Sequence, residues 1–396
     1  MTSLRERDPH DVRLARVAPE PLRAFNDAGV LSSADVQVAR RLAALAEVDD
    51  PAVLLALALA ARAPRLGHVL VDLATVRQTV AVDTEEPVDV ERLVWPDPSD
   101  WIERVAACSL VTDHPHPLRL EGSRLYLDRY WREEREVARH LRELACAASD
   151  GGNEAELAAG AERLYPDTRD VRARAAVHAA VGRRLTIIAG GPGTGKTTAV
   201  ARIVALVAEQ AAAQHPNSPL PLIALAAPTG KAAARLGAAV HDQASRLDVS
   251  SGSRDALLAT RPRTLHRLLG SRPGSRGRFR HHHLNRLPHD VVIVDETSMV
   301  SLTLMARLLE ALGDGARLIL VGDPDQLSSI EAGAVLGDIA GSATSDGGHA
   351  TSVIAANVVV LDRVHRFGEG IAAVAAAVRR GDADGTVAAL SAPEAR

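Results

Sequence analysis

Lysine is nearly absent from this chain of 396 residues: of its 46 basic residues, only Lys196 and Lys231 are lysine. Aromatic residues make up 2% of the sequence, whereas alanine is abundant. Such a skew is typical of a GC-rich coding bias, so composition alone says little about function. The residues that resist the bias are the more informative ones, and the two lysines are the first of these.

Cysteine and long apolar runs are also scarce. The two cysteines, Cys108 and Cys146, exclude a disulfide framework and an all-cysteine zinc site, and they favour a reduced, cytoplasmic compartment. The first residues lack the apolar segment that a signal peptide needs. The longest apolar stretch, residues 52–61, is too short to span a bilayer and predicts a buried helix, so no membrane association is expected.

Charge is distributed unevenly along the chain, although the net charge is only −4. Residues 1–165 carry a net charge of −9 and residues 166–396 a net charge of +5. The basic half is the candidate for binding polyanions and the acidic half for binding a protein surface, but ordinary solvated surfaces would give the same balance. The length predicts two or three domains.

The pattern of apolar residues changes near residues 150–166. Before this point the pattern is mostly helical, over residues 33–63 and 129–148, with one strand-like run at residues 123–127. After it, short apolar runs alternate with helical stretches, which is typical of buried parallel strands and crossover helices. The sequence therefore predicts an α/β fold, with a mainly helical N-terminal domain followed by a doubly wound parallel sheet. The predicted strands are residues 185–189, 222–226, 291–294, 318–321 and 358–361.

A glycine-rich loop follows the first of these strands. The sequence GGPGTGKTT fits the pattern G-x-x-x-x-G-K-[ST] and lies between an apolar strand and a helix, as that motif requires. Backbone N–H groups of such a loop wrap a phosphate, the lysine adds a point charge, and the Ser/Thr hydroxyl binds Mg²⁺. The predicted nucleotide-binding residues are Gly190, Gly191, Pro192, Gly193, Thr194, Gly195, Lys196, Thr197 and Thr198.

Polar residues follow two later strands. Asp295 directly follows the strand VVIV, where its carboxylate can hold Mg²⁺, and the adjacent Glu296 can act as a general base toward water. Gln326, in the turn GDPDQL after the strand LILV, is placed to contact the γ-phosphate or the attacking water. Each signal is weak alone, but together they predict an ATP-hydrolysing site.

These motifs resemble those of the superfamily-one helicases. The segments APTGKAAARL, TLHRLL and LDRVHRF are similar to further helicase motifs, and the detailed spelling resembles the RecD family, the alpha subunits of exodeoxyribonuclease V. In the acidic half, GHVLVDL and LYLDRYW resemble the RecD N-terminal domain. The resemblance implies a P-loop (RecA-like) 5′→3′ DNA helicase motor that uses ATP and Mg²⁺. It also implies a heterotrimer with RecB-like and RecC-like subunits, acting on single strands and duplex ends of DNA.

The resemblance also implies roles and domains. Lys196, Glu296 and Gln326 would serve catalysis, together with Arg366 as an arginine finger; Arg363 is the alternative finger. Thr197 and Asp295 would hold the metal ion. The candidate DNA contacts are Thr229, Lys231 and His266. Implied domains are a partner-docking domain over residues 1–160, a first motor domain over 161–350 and the start of a second over 351–396.

Two departures from the family pattern qualify these expectations. The glutamine that reads adenine upstream of the P-loop is missing, so either Arg172 or Arg174 replaces it or adenine selectivity is relaxed. The sequence also ends before the last helicase motifs. It is therefore a fragment, a frameshifted or misannotated gene product, or a chain whose missing half is supplied elsewhere. We therefore expect that this chain alone does not unwind DNA. A free-standing RecD-like helicase and a non-hydrolysing nucleotide-binding scaffold remain alternatives.

Two further segments invite a functional interpretation. Residues 261–286 contain eight arginines and no acidic residue, which fits either a nucleic-acid patch or an exposed surface loop. Within them, the consecutive histidines His281, His282 and His283 predict a solvated loop rather than a metal site, because structural zinc requires spaced ligands.

Overall fold

The computed structural model describes residues 11–82, 90–148, 153–272, 278–326, 329, 331–344, 353–365 and 369–392. The chain divides into two units: unit 1 is Met1–Arg135 with Ser329–Gly333, and unit 2 is Glu136–Ser328 with Ala334–Arg396. The domain bounds expected from the sequence, 1–160, 161–350 and 351–396, stay predictions.

Unit 1 is mainly helical, as the sequence predicts, and also contains a small antiparallel sheet. The strands lie in the order β1-β3-β2, and only β3 falls on a predicted strand. The long helix α7 begins in this unit and continues beyond it. The elements are α1 (Leu22–Asp27), α2 (Ser33–Leu45), α3 (Pro51–Arg62), β1 (Leu70–Asp72), α4 (Val76–Thr79), α5 (Pro98–Ala107), α6 (Ser109–Thr112), β2 (Leu118–Glu121), β3 (Arg124–Leu127) and α7 (Asp128–Cys146).

Helix α3 forms the centre of the unit 1 core. Asp50 caps its first turn by accepting the N–H of Ala52, and the apolar residues that follow are buried on every face, as predicted for residues 52–61. Trp101 packs against it, and its indole N–H donates to the Ala52 carbonyl at 2.8 Å. Burial of this apolar area is the main stabilising term for the unit.

Unit 2 alternates helices and strands. Its elements are α8 (Glu154–Leu164), α9 (Val171–Gly182), β4 (Leu185–Gly190), α10 (Lys196–Gln214), β5 (Ile223–Ala227), α11 (Gly230–Arg246), α12 (Ser251–Ala259), β6 (Arg263–Thr264), α13 (Leu265–Leu269), β7 (Val291–Val294), α14 (Leu302–Ala311), β8 (Arg317–Gly322), α15 (Val335–Thr344), β9 (Val358–Leu361), α16 (Glu369–Arg379) and α17 (Ala383–Ser391).

The strands of unit 2 form one parallel sheet in the order β6-β5-β7-β8-β4-β9. All five predicted runs are strands of this sheet, so the predicted α/β class is confirmed. Strands β4 and β7 are buried along their whole lengths, because helices cover both faces of such a sheet. Among the described residues, no helix combines the length and apolar character needed to cross a membrane.

Sheet topology determines where the motifs meet. In an open parallel sheet the carboxyl ends of all strands lie at one edge, and ligands bind there. The P-loop follows β4, Asp295 follows β7, and Asp323 follows β8. Because β4 and β7 both pair with β8, the three connections leave neighbouring strands at the same edge.

Candidate functional site

A cavity of about 410 Å³ opens at this edge of the sheet. Most of the residues predicted for nucleotide chemistry line it, and they come from three separate stretches of the chain. The lining residues are Pro192, Gly193, Thr194, Gly195, Lys196, Thr197, Thr198, Ala232, Arg235, Leu236, Asp295, Glu296, Gln326 and His365. The volume of the cavity falls within the range that is typical of small-molecule binding sites.

Lys196 begins helix α10 and folds back over the loop. Its Nζ donates to the carbonyl oxygens of Gly190 at 2.6 Å and Gly191 at 2.8 Å. Burial lowers the pKa of the Lys196 ammonium, although three nearby carboxylates, led by that of Asp323, act in the opposite direction. The ammonium is thus held at the mouth of a helix N-terminus, where anions bind favourably.

The loop conformation depends on glycine at two positions. Gly195 has φ +86°, a left-handed conformation that glycine adopts at low cost. At Gly190 a side chain has no room: a Cβ would lie 2.7 Å from Thr194 Oγ1 and 3.0 Å from the Leu361 carbonyl oxygen. The Thr194 hydroxyl donates to the Gly191 carbonyl at 2.9 Å and so closes the loop from inside.

Asp295 and Glu296 lie where β7 ends. Asp295 is buried, and this burial raises the pKa of its carboxyl to about 6, even though its Oδ1 accepts the Glu296 N–H at 2.9 Å. Glu296 has φ +53° and ψ +42°, which is rare for a residue with a side chain. This left-handed residue turns the chain sharply, and both carboxylates line the cavity.

Gln326 reaches the cavity from the turn after β8. Its Nε2 donates to Asp323 Oδ2 at 3.1 Å, and Asp323 itself is buried. The amide oxygen of Gln326 is then available to accept a hydrogen bond from a donor such as water. Asp323 belongs to the turn GDPDQL but is not among the site residues predicted from the sequence. Its buried carboxylate acts on the Lys196 ammonium and holds the Gln326 amide, so it helps to fix the site.

The three predicted DNA contacts lie away from the cavity. The candidate DNA contacts Thr229, Lys231 and His266 are described, exposed and not part of the cavity lining. Thr229 is the N-cap of α11, where its hydroxyl accepts the Ala232 N–H at 3.2 Å. The His266 ring lies 5.9 Å from that of Phe279. Arg366, the predicted arginine finger, lies outside the described residues.

The cavity also contains residues that sequence reasoning did not select. Arg235 lies on α11, one helical turn after Lys231, within a segment assigned to DNA. His365 follows β9, and its backbone N–H donates to the Gly193 carbonyl at 2.8 Å. Both residues lie in segments that resemble helicase motifs. The spacing of one helical turn from Lys231 could have indicated Arg235, and the position after a strand could have indicated His365.

The arginines considered for other roles have protein partners. Arg363 Nη1 pairs with Asp170 at 2.6 Å and with Asp167 at 2.8 Å. Arg174 donates to the carbonyls of Tyr165 and Asp167, while Arg172 lies 3.9 Å from the Asp362 carboxylate. None of the three arginines lines the cavity.

The three histidines are engaged in local contacts. The His281 ring lies within 3.2 Å of the Asn285 and Arg286 carbonyls, His282 Nδ1 accepts the Leu284 N–H, and His283 Nδ1 lies 2.8 Å from Glu310. Of the arginine-rich segment, residues 273–277 lie outside the described part of the chain; the rest contains β6, α13 and a bridge between Ser271 and Phe279.

Comparison with known proteins gives two family matches. Residues 27–126 match the family described as "RecBCD enzyme subunit RecD, N-terminal domain", and residues 173–332 match an AAA domain. The second match contains the P-loop and the strands that carry Asp295 and Asp323. The two matches do not overlap, and together they account for most of both units.

Similar curated proteins extend over nearly the whole chain. The RecBCD enzyme subunit RecD of Mycolicibacterium smegmatis is 50% identical over 371 residues, which are 94% of this chain and 61% of that protein. The subunit of the same name from Mycobacterium tuberculosis is 48% identical over 98% of this chain and 62% of its own length. The ATP-dependent RecD2 DNA helicase of Deinococcus radiodurans is 37% identical over 53% of this chain and 25% of its length. The chain thus spans about three fifths of the RecD subunits that it matches.

Solved structures are more distant. The crystal structure of Pif1 helicase from Candida albicans is 17% identical with a TM-score of 0.31, covering 56% of this chain and 47% of that one. Unliganded Pif1 from a Bacteroides species is 19% identical with a TM-score of 0.28, covering 52% and 45%. The identities with the RecD subunits are much higher. Over nearly all of its length, this chain is similar to RecD subunits, and it matches the RecD N-terminal domain followed by an AAA domain.

Proposed function

We propose that this chain is the ATP-dependent 5′→3′ DNA helicase motor subunit of an exodeoxyribonuclease V (RecBCD) complex. The complex would unwind duplex DNA ends in the recombinational repair of double-strand breaks, in the cytoplasm. The observation that carries the proposal is one cavity lined by the P-loop, Asp295, Glu296 and Gln326, in a chain related to RecD subunits.

The P-loop would bind the phosphates of ATP. Backbone N–H groups at the start of α10 and the Lys196 ammonium would neutralise phosphate charge, which is the main protein contribution to phosphoryl transfer. On binding, Lys196 would exchange its contacts with the Gly190 and Gly191 carbonyls for phosphate oxygens.

Thr197 and Asp295 would hold Mg²⁺. Both are oxygen ligands of the type that Mg²⁺ prefers, and both line the same cavity. Burial raises the pKa of the Asp295 carboxyl, and a cation bound next to it would stabilise its charged form. The ion would supply charge neutralisation at the phosphates.

Glu296 would orient the attacking water and accept its proton. Gln326, with its amide nitrogen bound to Asp323, would contact that water or the γ-phosphate. Arg366 would act as the arginine finger that stabilises charge in the transition state.

ATP hydrolysis by the full chain tests the proposal. We expect Mg-dependent ATPase activity that single-stranded DNA stimulates and that Lys196→Ala reduces by about 100-fold or more. Lys231→Ala, which removes the other lysine, should leave hydrolysis without DNA unchanged. Equal rates for the wild type and Lys196→Ala would contradict the proposal and favour the non-hydrolysing scaffold.

Thr229, Lys231 and His266 would contact single-stranded DNA. Because these contacts would mostly involve phosphates, Lys231→Ala should weaken binding of an oligonucleotide at low salt and lower the salt dependence by about one unit of slope. Thr229→Ser keeps the N-cap hydroxyl and serves as the control. An unchanged salt slope for Lys231→Ala would remove that residue from the interface.

The proposed partners are RecB-like and RecC-like subunits. Residues 27–126 match the RecD N-terminal domain, which would dock on the partner. Co-purification of a tagged chain with two large subunits from its host is the expected result. Helicase activity of the chain without partners would instead favour a free-standing helicase, the alternative that the similarity to the RecD2 helicase supports.

A further inference from the structure

The segment that follows β9 lies against the P-loop. Leu361 pairs with Gly190 in the sheet, and four residues later the His365 N–H donates to the Gly193 carbonyl at 2.8 Å. The His365 ring lies next to Gly195, with its Cδ2 3.6 Å from where a Cβ of that glycine would stand. His365, at the end of this segment, thus lines the cavity beside the P-loop.

Arg363 anchors this segment on its outer side. Its Nη1 lies 2.6 Å from Asp170 Oδ1 and 2.8 Å from Asp167 Oδ2. Asp170 precedes α9 and is only 11% exposed, and its Oδ1 also lies 3.7 Å from His365 Nε2. Hydrogen bonds from Arg169, which pairs with Asp167 at 2.8 Å, and then from the Arg363 guanidinium hold the pKa of the Asp167 carboxyl below its usual range. We call these three residues, Asp167, Asp170 and Arg363, the Arg363 latch.

The latch has two physical consequences. Arg363 lies two residues before His365, so fixing its side chain limits how far this segment can move from the P-loop. It also neutralises Asp170, whose carboxylate lies 3.7 Å from the cavity-lining His365 ring, and, together with Arg169, it neutralises Asp167. Uncompensated negative charge there would oppose binding of the proposed anionic ligand. A guanidinium paired with two carboxylates is poorly placed to serve as an arginine finger.

We propose that Arg363 is a positioning residue for the nucleotide: through Asp167 and Asp170 it holds residues 362–365 against the P-loop, so that His365 completes the wall of the cavity. The inference rests on the proposed function, because it takes the ligand to be a nucleotide. The inference gives Arg363 a different role from that of Arg366, which is proposed to stabilise charge in the transition state.

Titration of Mg·ADP into the full chain by calorimetry tests the latch. Arg363→Ala should weaken binding by about tenfold, because coupled ion pairs in one network contribute on that scale. Arg363→Lys should recover part of the loss, since the ammonium can still meet one carboxylate. In ATP hydrolysis, Arg363→Ala should raise KM with kcat changed less than about threefold, whereas Arg366→Ala should lower kcat.

Arg246→Ala is the matched control. Arg246 carries the same charge, pairs with exposed Asp242 at 2.9 Å near the end of α11 and does not line the cavity, so its loss should change the Kd of Mg·ADP less than about twofold. The triple variant Arg363→Ala/Asp167→Asn/Asp170→Asn separates position from charge. Persistent weak binding supports the latch, whereas restored wild-type affinity would reduce Arg363 to a neutralising charge and overturn it.

Two other outcomes are equally decisive. Wild-type affinity in Arg363→Ala, with an unchanged melting temperature, overturns the inference and leaves the proposed function intact. Absence of Mg·ADP binding by the wild-type chain, under conditions where it is folded, contradicts the proposed function itself.

Discussion

Glu296 shows how one backbone conformation sets up a site. Among the described residues, only Glu47 and Glu296 combine a side chain with a positive φ. A left-handed residue of this kind costs about 1–2 kcal/mol, and such residues persist where surrounding contacts fix them. Here the Glu296 N–H bond to Asp295 and the bond from the Thr297 hydroxyl to the Val294 carbonyl do so.

Glu296→Gln should separate binding from chemistry. The amide keeps the shape of the side chain but cannot accept a proton, so kcat for ATP should fall by about 100-fold or more. The Kd for Mg·ADP should stay unchanged. Glu143→Gln, at an exposed position of α7, is the control and should hydrolyse ATP at the wild-type rate. A parallel loss of nucleotide affinity in Glu296→Gln would contradict the assigned role.

Gly190→Ala tests the close contact at the end of β4. The added methyl group would meet the Leu361 carbonyl at 3.0 Å, so the free energy of unfolding should fall by about 1–3 kcal/mol in urea titrations followed by circular dichroism. Gly252→Ala, in α12 with open space around it, should instead stabilise by about 0.5–1 kcal/mol. Equal effects of the two changes would refute the steric argument.

Sequence patterns predicted the residues with a local signature. Lys196, Asp295, Glu296 and Gln326 were selected because each stands at a fixed offset from a strand, and all four line the cavity. Arg235 and His365 were not predicted, because their place in the cavity depends on how α11 and the segment after β9 pack against the P-loop. Contacts between residues far apart in the chain leave no pattern in a short stretch of sequence.

At the scale of elements, strand prediction followed hydrophobicity. The five apolar runs of unit 2 are all strands, since buried parallel strands are apolar throughout. Strand β6, Arg263–Thr264, was missed because two polar residues carry no such pattern. Strands β1 and β2 were missed because they are short and half-exposed, and their pairing with β3 is what makes them strands.

Helix α3 gives a prediction for unit 1. Leu57 is fully buried at its centre, so Leu57→Ala should lower the free energy of unfolding by about 2–5 kcal/mol through lost burial and a cavity. All three tryptophans, Trp95, Trp101 and Trp131, lie in unit 1, so their fluorescence follows this unit in urea. Val38→Ala, on the exposed side of α2, should change stability by less than about 0.5 kcal/mol. A similar small effect of Leu57→Ala would argue against α3 as the core.

At the scale of the whole molecule, nucleotide binding should increase the free energy of unfolding. A nucleotide that binds only the folded chain at 100 times its Kd adds about 2.7 kcal/mol to the free energy of unfolding. Mg·ADP should raise the melting temperature of the wild type, as followed by circular dichroism. The melting temperature of Lys196→Ala should not change; an identical rise in that variant would place the nucleotide outside the P-loop.

The scarcity of lysine makes the chain a selective target for chemical labelling. Apart from the α-amino group, a reagent that acylates primary amines finds only two targets, Lys196 half-buried in the P-loop and Lys231 exposed on α11. Among the side chains, such a reagent would label the exposed Lys231 first. Bound nucleotide would shield the other position, so the labelling stoichiometry itself would count occupied sites.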